Sequence, residues 1–416
     1  MHPRFKRLSL ITTLSIALIM PTFSASTALA NNEALTRGEF IQQIVKELNL
    51  SPTDKSLKLP TDVSDSSTYA QAARVMLERQ AMNGYEDGTF RLDQPITKKE
   101  SSQVIGRFLG IQDHSALDKL EKHFGASFGK DNSLSLETAQ SLIQTALSNS
   151  VEASQWAEKS AAEQVKVTSF LVDSQMDMNI FTKPDSGEAG PISTNSSIQI
   201  KFNKNSGIHQ LSTTEMDLPT GPIQTEIEQY TVTQGTYIKM PDPVSGNIKW
   251  FNLSKQIPFT FEQLMELQLK NQELNKTFIS PYFFFRDLGV EEKDGVKLHG
   301  IELNGKLTNT AELLKTLGSL LNDSGLLQSI AESPALSQMS MSMSAIYWFD
   351  EQTKLVAQTD VDYVIQYGDD KANPLDRMEM TMTATYTDYN QVKDIVLPDE
   401  AKKAEELSIP EIPVTK

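Results

Sequence analysis

Three stretches of the 416-residue chain alternate methionine with polar residues. Met339, Met341 and Met343 are interleaved with Ser340, Ser342 and Ser344, and Met378, Met380 and Met382 with Glu379, Thr381 and Thr383. Met176 and Met178 repeat the spacing. In an extended chain this period sends every methionine of a stripe to one face. The thioether side chain is unbranched and polarizable, so such a face suits an adaptable apolar cavity for a lipid or other apolar ligand. The same stripes also fit a solid core in which methionine fills gaps between a sheet and its helices, and the pattern alone leaves both readings open.

Groups for reactive chemistry are sparse. The absence of cysteine removes disulfides, thiolate zinc sites, iron–sulfur clusters and cysteine nucleophiles. The five histidines are His2, His114, His123, His209 and His299, scattered without metal-ligand spacing. There is no Gly-x-Ser-x-Gly elbow, Walker loop or dinucleotide fingerprint. Asp369-Asp370 and Asp350-Glu351 read as turns. The 54 acids leave glycoside chemistry by a carboxylate pair open, and Tyr282 and Trp250 are the sugar-stacking candidates in that case. Otherwise the aromatic run 282–285 reads as core or cavity wall. No catalytic residue, metal or cofactor is assigned.

The elements that carry the methionines are strands. Amphipathic alternation recurs at 176–180, 197–202, 223–232, 235–240, 297–303, 339–347, 355–366 and 378–386. Two helical patterns interrupt it: Thr260 with Gln263 forms a capping box ahead of Phe261, Leu264 and Met265, and Thr310 precedes Leu313, Leu314, Leu317, Leu320 and Leu321. Residues 151–164 read as a helical connector, and 401–416 as a mobile acidic tail. Many antiparallel strands with few helices predict an α+β fold, a curved sheet over helices.

Residues 1–30 read as a signal peptide: Arg4, Lys6 and Arg7 precede an apolar run from Leu8 to Met20, Pro21 breaks it, and Ala28-Leu29-Ala30 offers a cleavage site. No later stretch is long and apolar enough to span a bilayer. The formal charge of −16 becomes −19 once the three basic residues of that segment leave, which opposes non-specific binding to nucleic acid and anionic lipid. The chain is expected to be secreted and to act at the cell-wall surface.

Between the signal and the strands lies a repeat at an offset of 61, placing 35–50 over 96–111. Thr36/Thr97, Glu39/Glu100, Gln42/Gln103, Ile44/Ile105 and Leu48/Leu109 are identical, and Arg37 lies over Lys98. Each copy predicts a helix opened by a Thr–Glu capping box and carrying an apolar stripe. A fainter third copy runs from Leu134 through Ile143 and Leu147, with 119–129 as a shortened first helix. Capping explains Thr and Glu, but not a cation at a helix start, where the backbone dipole is unfavourable to it.

The combination Gly84-Tyr-Glu-Asp-Gly-Thr-Phe90 followed by Ile96-Thr-Lys-Lys-Glu100 resembles an S-layer homology module, a helix–loop–helix unit that works as a trio. The resemblance covers 31–150 as degenerate copies at 35–50, 60–111 and 117–149. It implies anchoring to a pyruvylated secondary cell-wall polymer of a Gram-positive bacterium, held in grooves between modules where the basic residue of Thr-Arg-x-Glu meets the acidic sugar. Carried over by position, the polymer-binding residues are Thr36, Arg37, Glu39, Gly84, Asp87, Gly88, Thr97, Lys98 and Glu100, with nothing equivalent in the third copy.

The motifs Gly235-Thr-Tyr-Ile-Lys-Met-Pro241, Ile346-Tyr-Trp-Phe-Asp350 and Met380-Thr-Met-Thr-Ala-Thr-Tyr386, in that order, resemble half-barrel lipoprotein-carrier proteins of the LolA and LppX types over residues 165–400. This implies a curved antiparallel half-barrel packed on helices that holds acyl chains without catalysis. The lipobox cysteine of the lipoprotein branch is missing, so the wall module stands where a lipid anchor would. Three functions remain: a wall-associated binding protein, a structural envelope protein with a solid core, and a wall-glycan hydrolase.

Overall fold

The computed structural model describes residues 34–184, 191–217, 221–242, 245–257, 260–269, 282–308, 310–320, 331, 339–368 and 373–407. The expected signal peptide, Asp369-Asp370 and Leu321 lie outside the described residues.

Six helices come first: α1 (Arg37–Glu47), α2 (Ala70–Glu78), α3 (Lys98–Phe108), α4 (Ala116–Lys122), α5 (Leu136–Ala146) and α6 (Val151–Gln164). Thr36 and Thr97 open α1 and α3 with complete capping boxes to Glu39 and Glu100. Ser135 opens α5 with the same hydroxyl-to-backbone bond but has Thr138 in place of the acid. The three helices bury Ile44, Ile105 and Ile143 at equivalent positions in one core. Their entries are tied in a ring. Leu35 N–H donates to Leu134 O at 2.7 Å, Leu134 N–H to Ile96 O at 3.4 Å, and Ile96 N–H to Leu35 O at 2.9 Å. Each residue satisfies one neighbour and is satisfied by the other, so buried backbone is paired without a sheet.

The rest of the chain forms one curved, open, twelve-stranded sheet. Its strands are β1 (Ser169–Thr182), β2 (Ile192–Asn203), β3 (Gly207–Asp217), β4 (Ile223–Val232), β5 (Gly235–Pro241), β6 (Ile248–Asn252), β7 (Phe283–Lys293), β8 (Val296–Leu307), β9 (Ser340–Asp350), β10 (Val356–Gln366), β11 (Leu375–Thr387) and β12 (Glu405–Glu406). The order is β12-β6-β5-β4-β3-β2-β1-β11-β10-β9-β8-β7. Two antiparallel meanders, β1–β6 and β7–β11, are therefore joined by the β1–β11 pair alone. Helix α7 (Phe261–Leu269) opens with the expected Thr260–Gln263 box. Helix α8 (Thr310–Leu320) sends Leu313 against the sheet core.

The connector and the tail are both more firmly held than their composition suggests. Trp156 of α6 stacks on His299 with ring centroids 4.1 Å apart and packs with Phe283 and Phe285. Residues 401–407, expected within a mobile tail, are docked: Ala401 is fully buried, and β12 pairs in parallel with β6. Ala401 and Leu407 supply the apolar contacts that the acid-rich composition concealed.

The helical unit sits on one face of the β7–β9 end. Phe284 joins the helical core, while Phe283 and Phe285 point into the sheet core opposite. Ser342 and Ser344 of β9 lie on the Phe284 side, so the serine stripe faces a neighbouring unit at its small residues. A Cβ on Gly110, at φ +74°, would lie 2.7 Å from the Ser342 side chain. Arg286 and His123 both bond the buried Glu302 carboxylate, at 2.8 and 2.7 Å for Arg286 Nε and His123 Nε2. Lys306 lies half-buried in the same interface, where burial and then Arg107 push its ammonium down to about 8.

Because the folded pKa of Lys306 lies below its unfolded value, the charged form penalises folding below pH 8, and the penalty lifts as pH rises from 8 towards 10.5. Lys306→Met is expected to stabilise the protein at pH 7 by on the order of 3 kcal/mol. It should also flatten the rise in stability above pH 8, both read by urea denaturation across pH.

Candidate functional site

Among the described residues, two places bring the site residues expected from the sequence together. The first is a groove of about 130 Å³ between the first two copies, lined by Arg37, Met82, Asn83, Gly84, Tyr85, Glu100, Gln103, Val104 and Arg107. The loop that shapes it is a tight turn. Gly88 N–H donates to Tyr85 O and Tyr85 N–H to Thr89 O, and Gly88 adopts φ +76°, where a side chain is strained. Asp87 caps the turn by accepting from Thr89 N and Oγ1 and from Arg91, and these bonds hold its carboxyl down at about 2. Asp87 and Gly88 are thus turn formers outside the groove wall, whereas Gly84 lines it.

Arg37 is only 4% exposed. Its Nε donates to Phe90 O at 2.8 Å and its Nη1 pairs with Glu100. The Tyr85 hydroxyl donates to the same Glu100 oxygen at 2.9 Å. The Tyr85 ring is flanked by cations, with the Arg91 guanidinium 3.8 Å and that of Arg37 5.0 Å from its centroid. Burial tends to raise the Glu100 carboxyl, but bonds from Thr97 and Tyr85 and the charge of Arg37 outweigh it and leave the group below its usual range. Arg107 on the same wall is matched by Asp113. The groove is therefore a near-neutral slot with an aromatic rim.

The cation of one copy meets the acid of the next, which explains how the other two grooves have changed. Lys98 reaches a loop carbonyl of the third copy, Gly129 O, as Arg37 reaches Phe90 O, but the position equivalent to Glu100 is there Thr138. In the third copy the cation position is Leu136, and exposed Glu39 serves its own helix as a capping acid. Thr36 and Thr97 are likewise engaged as caps. Tyr85, Gln103 and Arg107 were not assigned to the site from the sequence, although Gln103 is one of the repeat identities and Tyr85 stands inside the loop motif that marked the module.

The second place is the sheet face carrying the methionines. Register sets Met176 opposite Met382 and Met178 opposite Met380 on β1 and β11. Met380 is opposite Tyr363 of β10, which is in turn opposite Met343 of β9. Met378 is paired with Ile365, and Ile365 with Met341. Directly paired residues project to the same side, so three stripes distant in sequence form one patch. Met176 and Met343 are buried, whereas Met178, Met339, Met341, Met378, Met380 and Met382 are half-buried. Tyr282 has Arg79 over its ring at 3.6 Å, and Trp250 packs beside Tyr230. No cluster of three or more metal-ligating side chains occurs among the described residues, and none of their helices is long and apolar enough to cross a membrane.

The chain carries an S-layer homology domain at residues 61–100. It belongs to a family of unknown function (DUF6612), whose model matches residues 152–406. A cell surface protein of Thermoanaerobacter kivui is 36% identical over 62 residues, which is 15% of this chain and 8% of that protein, so the chain spans under a tenth of that relative. Among solved structures, LprF from Mycobacterium bovis aligns at 11% identity and a TM-score of 0.32, covering 61% of this chain and 99% of its own. The Mycobacterium tuberculosis lipoprotein LppX aligns at 14% identity and a TM-score of 0.27, covering 58% and 97%. These structural likenesses are too distant to bear on function.

Removing Arg37 would strand a partly buried carboxylate. Arg37→Ala is expected to cost about 2 kcal/mol in denaturant unfolding, less than a fully buried pair because Glu100 keeps some solvent. A carboxylate held below its unfolded pKa stabilises above that value and loses its contribution as pH falls through the folded one. Stability should thus fall in acid below about pH 4.5, the ordinary value for Glu100, and Glu100→Gln should flatten that part of the profile.

Proposed function

We propose that this is an exported, non-catalytic, wall-associated binding protein. In this reading the helical unit holds an acidic secondary cell-wall polymer, and the sheet carries a lipophilic or amphiphilic ligand on its methionine face. The S-layer homology domain supports the first part. The second rests on one observation: register gathers three separated methionine stripes into a single half-buried face. A patch of flexible thioethers adapts to an acyl chain at little steric cost.

The polymer docks in the groove around Tyr85. Arg37 and Glu100 form its charged floor, Tyr85 offers an aromatic ring edge, and an acidic sugar approaches Arg37 by competing with Glu100. Arg presents a planar fork to a carboxylate and Lys a point charge, so the first groove is the principal site and Lys98 marks a weaker second one.

Tyr85→Ala leaves the Arg37–Glu100 pair in place, so it probes binding apart from folding. It is expected to reduce co-sedimentation of the full chain with cell walls, and equal sedimentation with walls before and after polymer extraction would sink the anchoring reading. Native mass spectrometry of the full chain, purified without detergent from a Gram-positive host, tests the ligand. A discrete added mass that extracts as lipid is the expected result. A clean apo mass, unchanged after incubation with lipid extract, would favour a structural envelope protein with a solid core.

A further inference from the structure

The methionine face contains a hydroxyl that has no hydrogen-bond partner among the described residues. Tyr363 is 6% exposed, and its hydroxyl is buried and unpaired among the described residues. It stands between Met380 and Met343 in one cross-strand row, Thr194–Met178–Met380–Tyr363–Met343, which runs over β2, β1, β11, β10 and β9. Thr194 at the far end of that row is also buried, and its Oγ1 also lacks a partner among the described residues.

An unpaired hydroxyl in apolar surroundings costs free energy that phenylalanine would avoid, so its place there calls for a partner. A buried water needs two to four polar contacts; the row neighbours of Tyr363 are the thioethers Met380 and Met343, and the hydroxyls sharing its face are those of Tyr347, Thr359 and Tyr386. Burial, with Tyr386 nearby, pushes the phenol well above its ordinary pKa. The group thus stays a neutral donor at any working pH.

We propose that Tyr363 donates its hydroxyl to an oxygen carried by the ligand, so that the methionine face is built for an acyl ester and not for a bare hydrocarbon. This rests on the reading of that face as a binding surface. The methionines take the chain, which has no direction of its own, and Tyr363 fixes where along the face the carbonyl comes to rest. A ligand carbonyl at this point satisfies a donor that no described residue matches.

The test compares retention of radiolabelled methyl palmitate and octadecane by the full chain after gel filtration. Wild type is expected to retain both, and Tyr363→Phe to lower the ester-to-alkane retention ratio about tenfold while leaving the alkane unchanged. The ligand-free variant should melt at or above wild type, since it loses a buried hydroxyl without a partner. An unchanged ratio with both probes bound would overturn the role of Tyr363 and leave the binding face standing. Failure of wild type to retain either probe would overturn the binding face and Tyr363 with it. A lower melting temperature for the ligand-free variant would show that the hydroxyl serves the fold, and would also overturn the proposal.

Discussion

The pairing of β1 with β11 is the contact on which the sheet depends. Every other antiparallel pair joins strands adjacent in the chain, whereas this one closes a loop of about 200 residues. Local hairpins form at small entropic cost, but a closure of this length must be repaid by the contacts it makes. It runs in continuous register from Leu171↔Thr387 to Phe181↔Arg377. One end is clamped by a stack of Phe170 on Phe202 at 4.8 Å, with Tyr386 and Tyr389 close by. Asn390 Oδ1 accepts from both Thr168 N and Oγ1 just beyond. A slip of one residue would turn Met176 and Met178 to the polar side, so the register that unites the two meanders also creates the methionine face.

Periodicity made the methionine stripes legible, because a period of two is a local property of each strand. Their union was not legible, since no local pattern states that 176–178 lies against 380–382. The serine half of the 339–344 stripe shows the same gap: the alternation marks a polar face, yet Ser342 packs under Gly110 of the helical unit. In the helical unit, side-chain identity marked two copies and apolar spacing hinted at a third. The ring through Leu35, Ile96 and Leu134 is made of backbone bonds and leaves little trace in residue type. Glu100 is the sharpest case. Its place at the third position of a helix accounts for it as a capping acid, so the pairing with Arg37, 63 residues away, was hidden behind a sufficient local explanation.

That pairing changes how the repeat is to be understood. With a cation from one copy and an acid from the next, a complete ring of three copies would make three equivalent grooves. Here Arg37 meets Glu100, Lys98 comes opposite a copy with Thr138, and Leu136 has replaced the cation altogether. The fold tolerates this because the backbone ring and the buried isoleucines hold the copies together independently of the charges. In the proposed reading, the departures in these two grooves weaken polymer binding without costing structure, and much of the multiplication of affinity that several linked sites provide goes with them.

With the first groove as the proposed principal site, how the two parts of the molecule are joined carries more weight. The helical unit is fixed to the sheet by Phe284, by the Arg286–Glu302–His123 cluster and by the close approach at Gly110. All three contacts fall on the side of β7–β9 opposite Met341 and Met343, because residues alternate across a strand. The unit that carries the Tyr85 groove thus lies on one side of this end of the sheet and the methionine face on the other. In the proposed reading, attachment through the groove leaves that face uncovered by α1–α5, while Trp156 of α6 packs over its β7–β9 end.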